Sequence, residues 1–222
     1  MAFAVIMCPF ISAVVTTRII NGQGSVFQLF KHSFQWRFSW IWYFTAVLIP
    51  IIVTIISIIA AVLFKGVGMP EKWFSPSIGF SFLLVFLIYN GIGEETGWRG
   101  FALPLLRKNL GSLGGSLAIG IIWALWHLPL FHMPGSNQYG DSIILYVYLL
   151  TCWSIVMTYL VCKARGSIFV AILFHESINF IAFSIRYPGH YVYAVWGIAA
   201  VVTLFFLPKP LFNLPVKGKS IS

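Results

Sequence analysis

Long apolar runs, broken by short connections holding most of the polar and charged residues, make up nearly the whole chain. A membrane-crossing helix needs about 20 mainly apolar residues, and seven runs are candidates. They are Ala2 to Val15, Trp40 to Phe64, Ile78 to Gly93, Leu113 to Phe131, Ser142 to Cys162, Ser167 to Ile185 and Tyr191 to Leu207. The pattern predicts an all-α, polytopic membrane helical bundle of about seven transmembrane helices. No internal repeat, low-complexity tract or linker sets off a soluble part, so residues 1–222 read as one membrane domain. The first run is short for a span and lacks both a basic flank before it and a small-residue cleavage pattern after it. It reads as a buried or truncated helix, not a signal peptide. Beyond it, Phe27, Phe30, Phe34 and Phe38 recur at helical spacing beside Lys31, His32 and Arg37. That suits either a helix lying in the headgroup region or a basic loop. Trp36, Trp40, Trp42 and Tyr43 then form an aromatic belt at the entry to the second span.

Composition agrees with this class. Hydrophobic residues make up 59% of the chain and charged residues 9%, whereas a soluble domain carries roughly a quarter charged residues to cover its surface. The same figures exclude disorder, and three cysteines are too few for a disulfide scaffold. The net charge of +9 resolves into topology. Basic residues mark cytoplasmic connections, and eleven of the fourteen fall in alternate connections or in the C-terminal tail. Only Lys65, Lys72 and Arg186 lie on the other side. This places the C-terminus in the cytoplasm and the N-terminus outside. Orientation and contact with anionic membrane lipid account for the charge, and no nucleic acid partner is needed.

Three of the five acids, Glu94, Glu95 and Glu176, sit in or against apolar runs. A charge at the bilayer centre costs on the order of 3 kcal/mol, so such residues face a cavity and have a partner. Glu71 and Asp141 fall in outside loops and carry no special role. Glu94 and Glu95 open Glu-Glu-Thr-Gly-Trp-Arg-Gly, and Arg99 follows Glu95 by four residues, on the same helical face. Glu95 and Arg99 can neutralise each other. Glu94 is left without a local counter-charge, in the setting where a glutamate works as a base.

His127 lies in Trp-Ala-Leu-Trp-His-Leu-Pro. A lone histidine on an apolar helix is more often a packed core residue than a catalyst, but its position is informative. If Asn109 to Ser112 turns a helical hairpin, Glu94 lies about as far before the turn as His127 lies after it, so antiparallel packing brings them to similar depth. In Phe-His-Glu-Ser-Ile-Asn, His175 and Asn179 are four apart and project from one face, where they could donate to a developing oxyanion. Asn179 alone would more often bridge helices. Glu176 points about 100° away, which suits a structural role or one supporting the residues that touch substrate. The zincin motif fails, since Asn179 occupies the place of its second histidine.

An acidic pair with a following arginine, then a span histidine, then His-x-x-x-Asn in a later span resemble, in that order, the three motifs of the CPBP family. That family joins the type II CAAX prenyl endopeptidases to bacterial bacteriocin-processing and immunity proteins, also called the Abi family. The matching residues are Glu94, Glu95 and Arg99, then His127 with Trp123 at the aromatic place four before it, then His175 and Asn179. The motif core covers about residues 78–185. The resemblance implies a helical intramembrane endopeptidase with its site inside the bundle, open to the cytoplasm, acting on a peptide or protein substrate. Glu94 and His127 would activate water, His175 and Asn179 would stabilise the oxyanion, and Glu95 and Arg99 would support the first motif. No cofactor is required by this scheme. A zinc version, with Glu94, His127 and His175 as ligands, stays open beside it. Family members commonly carry one more helix before the region matching Ala2 to Val15, and adding it would put both termini inside. The Trp-His-Leu-Pro wording is similar to bacterial members, which suggests a bacterial cell membrane and a substrate without a prenyl group. Two other classes compete: a non-enzymatic immunity or peptide-binding protein, and a proton-coupled transporter. The transporter is disfavoured because no inverted repeat is visible.

Overall fold

The computed structural model describes residues 7–66, 68–70, 86–185 and 191–207. The start of the first run, the Glu71 and Lys72 connection, the beginning of the Ile78–Gly93 run, Arg186, His190, and the tail bearing Lys209, Lys217 and Lys219 lie outside the described residues, as does the His32 side chain. Among the described residues every regular element is helical. In chain order they are α1 (Cys8–Asn21), α2 (Gln23–Ser33), α3 (Ile41–Lys65), a π-helical stretch in two parts (Leu87–Glu94 and Thr96–Ala102), α4 (Leu103–Trp126), a 3-10 turn (Leu128–His132), α5 (Ile143–Lys163), α6 (Phe169–Ser184) and α7 (Tyr191–Leu204). This is the helical membrane bundle that the apolar runs predict.

Helix α3 shows how sequence becomes a span. Its 25 residues carry no charge before Lys65, and at 1.5 Å per residue they exceed the roughly 30 Å hydrocarbon core. Ala46, Pro50, Val53, Ser57 and Ala61 face inward, while Ile51, Ile52, Ile55, Ile56 and Ile59 are exposed. Small residues on the inner face let neighbouring backbones approach, and bulky aliphatic ones meet lipid. The helix stops at Gly66, whose φ of 64° suits a left-handed cap and whose N–H bonds to the Val62 carbonyl.

The segment Leu87–His132 is apolar enough to cross a membrane but too long for one crossing. It folds back at Gly111, which has φ 71° and ψ −179°, within the predicted Asn109–Ser112 turn. Arg107 Nε donates to Ser112 Oγ at 3.2 Å across that turn. Helix α5 fills the centre, with Leu150, Val156, Met157 and Leu160 fully buried. It packs on α4 so closely that a Cβ on Gly120 would lie 2.5 Å from the Thr151 Cα. Helices α6 and α7 complete the core around Phe174 and Trp196, whose rings are 5.7 Å apart.

Two local expectations are refined. The first apolar run continues past Val15 to Asn21, and Pro9, Ala13 and Thr17 face inward, so this short helix is partly buried. A helix, not a loop, follows it, but α2 ends at Ser33, and the aromatic row splits there. Phe30 packs on Phe10 and Phe34 with centroids 5.7 and 6.2 Å away, whereas Phe38 stacks on Tyr43 at 4.4 Å.

Candidate active site

The first motif lies on a π-helix, not on the α-helix that its spacing suggests. π-helical turns are rare and concentrate at functional sites. Here the stretch is rich in glycine, and two glycines mark where other elements press on it. A Cβ on Gly97 would lie 2.5 Å from both Cβ and carbonyl O of Pro9 in α1. One on Gly91 would lie 2.9 Å from Ile172 Cγ2 and 3.2 Å from Glu176 Oε1 in α6. The motif is thereby wedged between α1 and α6.

Glu94, Glu95, Arg99 and His175 are all buried, Glu95 completely. Glu95 Oε1 accepts from Arg99 Nη1 at 2.9 Å, the i,i+4 pair expected from the sequence. The same oxygen bonds His175 Nδ1 at 2.9 Å. A carboxylate only accepts, so His175 donates through Nδ1, which leaves Nε2 free of that bond. Glu95 is therefore the junction of the first and third motifs. Arg99 also lies over the Trp123 ring, with its guanidinium carbon 4.5 Å from the centroid, where the π face offsets part of its charge.

Glu94 and the second motif meet across the hairpin. Trp123 Nε1 donates to Glu94 Oε2 at 2.6 Å, joining residues 29 apart in sequence. The Trp123 carbonyl bonds His127 Nδ1 at 2.8 Å. A carbonyl also only accepts, so Nδ1 carries a proton, and in the neutral imidazole Nε2 keeps its lone pair. His127 is packed between Trp126 and Tyr146, with centroids at 4.7 and 5.5 Å. Among the described residues no direct hydrogen bond links Glu94 to His127; Trp123 connects them. His175 lies 5.2 Å from Trp123, centroid to centroid, in an edge-to-face contact.

Asn179 lies one turn beyond His175 on α6, and its Nδ2 is buried without a partner among the described residues. Glu176 lies against Gly91, where its Oε1 would be 3.2 Å from an added Cβ. Sequence reasoning places Trp123 in the motif without giving it a function, and passes over Tyr146. The signal for Trp123 is its i,i+4 relation to His127, which puts both on one face. Tyr146 gives no such signal, because it comes from another helix. The two Nε2 atoms suit metal ligation by chemistry. Among the described residues no three His, Cys, Asp or Glu side chains already form a metal-binding group.

Residues 76–181 match the family model described as type II CAAX prenyl endopeptidase Rce1-like. The matched segment contains all three motifs. The chain is also 33% identical over 137 residues to a protein named CAAX prenyl protease 2 from Methanococcus maripaludis. That alignment covers 57% of this chain and 50% of the relative, so the chain spans about half the length of the curated relative it matches. The acidic pair, the span histidine and His-x-x-x-Asn lie on three neighbouring elements inside the matched segment, and this part of the chain is similar to the type II CAAX prenyl endopeptidase Rce1-like family.

Proposed function

We propose that the protein is an intramembrane endopeptidase that hydrolyses a peptide or protein substrate near the cytoplasmic side of the membrane, using water activated by Glu94 and His127. The observation that carries this reading is the shared use of Glu95 Oε1 by Arg99 and His175. Packing alone does not require a buried carboxylate, guanidinium and imidazole to converge from two separate elements. Such convergence suits a site that must hold a histidine in one orientation.

Glu94 Oε2 is occupied by the Trp123 indole, so Oε1 is the oxygen that takes a proton from water. His127 Nε2 accepts the water's second hydrogen bond. The water oxygen attacks the scissile carbonyl carbon, and negative charge develops on the carbonyl oxygen. A protonated His175 donates to that oxygen through Nε2, while Asn179 donates through Nδ2, the arrangement that lowers the barrier for acyl transfer. Glu94 then delivers its proton to the leaving nitrogen as the carbon–nitrogen bond breaks.

Purified protein in detergent or liposomes, assayed with a fluorogenic peptide library, is expected to cleave a subset of peptides. Glu94→Ala and His127→Ala are each expected to abolish cleavage. Equal turnover by wild type and both variants overturns the proposal.

A further inference from the structure

Trp123 contacts residues of all three motifs at once. Its indole N–H bonds Glu94, its carbonyl holds His127, its face carries Arg99, and its edge meets His175. It is 2% exposed. A phenylalanine could supply the carbonyl, the packing and much of the cation–π contact, but not the N–H. The N–H is therefore the one contribution that depends on tryptophan.

Resting on the endopeptidase reading above, we propose that the Trp123 indole N–H is a positioning group that decides which Glu94 oxygen handles the proton. Indole nitrogen only donates, and it holds Glu94 Oε2 at 2.6 Å. When Glu94 takes a proton from water, the oxygen facing the indole stays the better acceptor if the proton sits on Oε1. The O–H bond of water breaks, its oxygen bonds to the scissile carbon, and the proton resides on Oε1 until it passes to the leaving nitrogen. Without the indole, the carboxyl can rotate and carry the proton on the oxygen turned away from substrate. The reaction then waits on that rotation, while substrate binding is untouched.

The test separates contact from turnover. Protein labelled with nitrogen-15 at its nine tryptophans gives indole N–H resonances in detergent, and Trp123→Phe identifies one of them by its loss. That resonance is expected to move in Glu94→Gln and to stay in place in Lys65→Gln, whose residue is exposed at the end of α3. If Trp123→Phe fails to fold, Phe substitution of each other tryptophan identifies the peak by elimination. On a cleaved peptide, Trp123→Phe is expected to lower kcat about tenfold with KM within about twofold, in line with loss of one charge-assisted hydrogen bond. An indole resonance blind to Glu94→Gln overturns the proposal, as does wild-type kcat in Trp123→Phe. Absence of cleavage by the wild type would overturn the endopeptidase reading instead, and the resonance would still report the contact.

Discussion

Removing Glu95 tests whether the buried junction holds the bundle together. Its Oε1 accepts two bonds of 2.9 Å, from Arg99 and from His175, and the side chains of Glu95 and Arg99 are fully buried. Glu95→Ala leaves the guanidinium buried without its hydrogen-bonded carboxylate, over the Trp123 face. Breaking a buried ion pair from one side costs about 3–5 kcal/mol, and orphaning the His175 N–H adds about 1–3 kcal/mol. Arg99→Ala strands the carboxylate instead, although His175 still donates to it, so its cost falls toward the lower end of about 3–5 kcal/mol. In the double variant neither charge remains and only the imidazole loses a partner. The two single losses should therefore not add, and the coupling should be at least about 2 kcal/mol. The assay is reversible unfolding of wild type, both single variants and the double variant in mixed micelles, followed by tryptophan fluorescence. Additive losses within about 0.5 kcal/mol would refute the reasoning, since they would mean that the two groups are stabilised independently. Wild-type stability in Glu95→Ala would refute it too.

Two further predictions concern contacts that the structure makes explicit. Gly97→Ala forces a methyl group against the Pro9 backbone, so it should destabilise the protein by about 1–3 kcal/mol and lower turnover by displacing Glu95 and Arg99, measured by micelle unfolding alongside peptide cleavage. Gly120→Ala meets the Thr151 backbone in the same way and should show the stability loss by the same assay. Orientation is tested by cysteine accessibility in sealed vesicles. A cysteine at Arg165 should react with an impermeant reagent only from the cytoplasmic side and one at Asp141 only from the opposite side; the reverse pattern refutes the topology drawn from basic residues.

Much of the architecture is legible along the chain because a bilayer imposes a one-dimensional rule. Each crossing must be long, apolar and internally hydrogen-bonded, so α3, α5 and the hairpin at Gly111 follow from run length and one turn. The Glu95–Arg99 bond is equally local, since four residues separate the partners. The π-helical course of the first motif is not legible, because it depends on α1 and α6 pressing against Gly97 and Gly91. Nor is the Glu95–His175 bond, whose partners are 80 residues apart.

By itself, then, the sequence determines the class, the spans and the small set of polar residues that a membrane interior would otherwise exclude. Tertiary structure decides what those residues do to one another. Glu95 reads as a partner for Arg99 alone, and the fold makes it also the anchor of His175. Trp123 reads as an apolar ring, and the fold makes it a hydrogen-bond donor to Glu94. The reason is physical. Insertion depends on the transfer energy of each segment, summed along the chain, whereas a hydrogen bond depends on direction and distance to within tenths of an ångström, which only the packing of separate helices supplies.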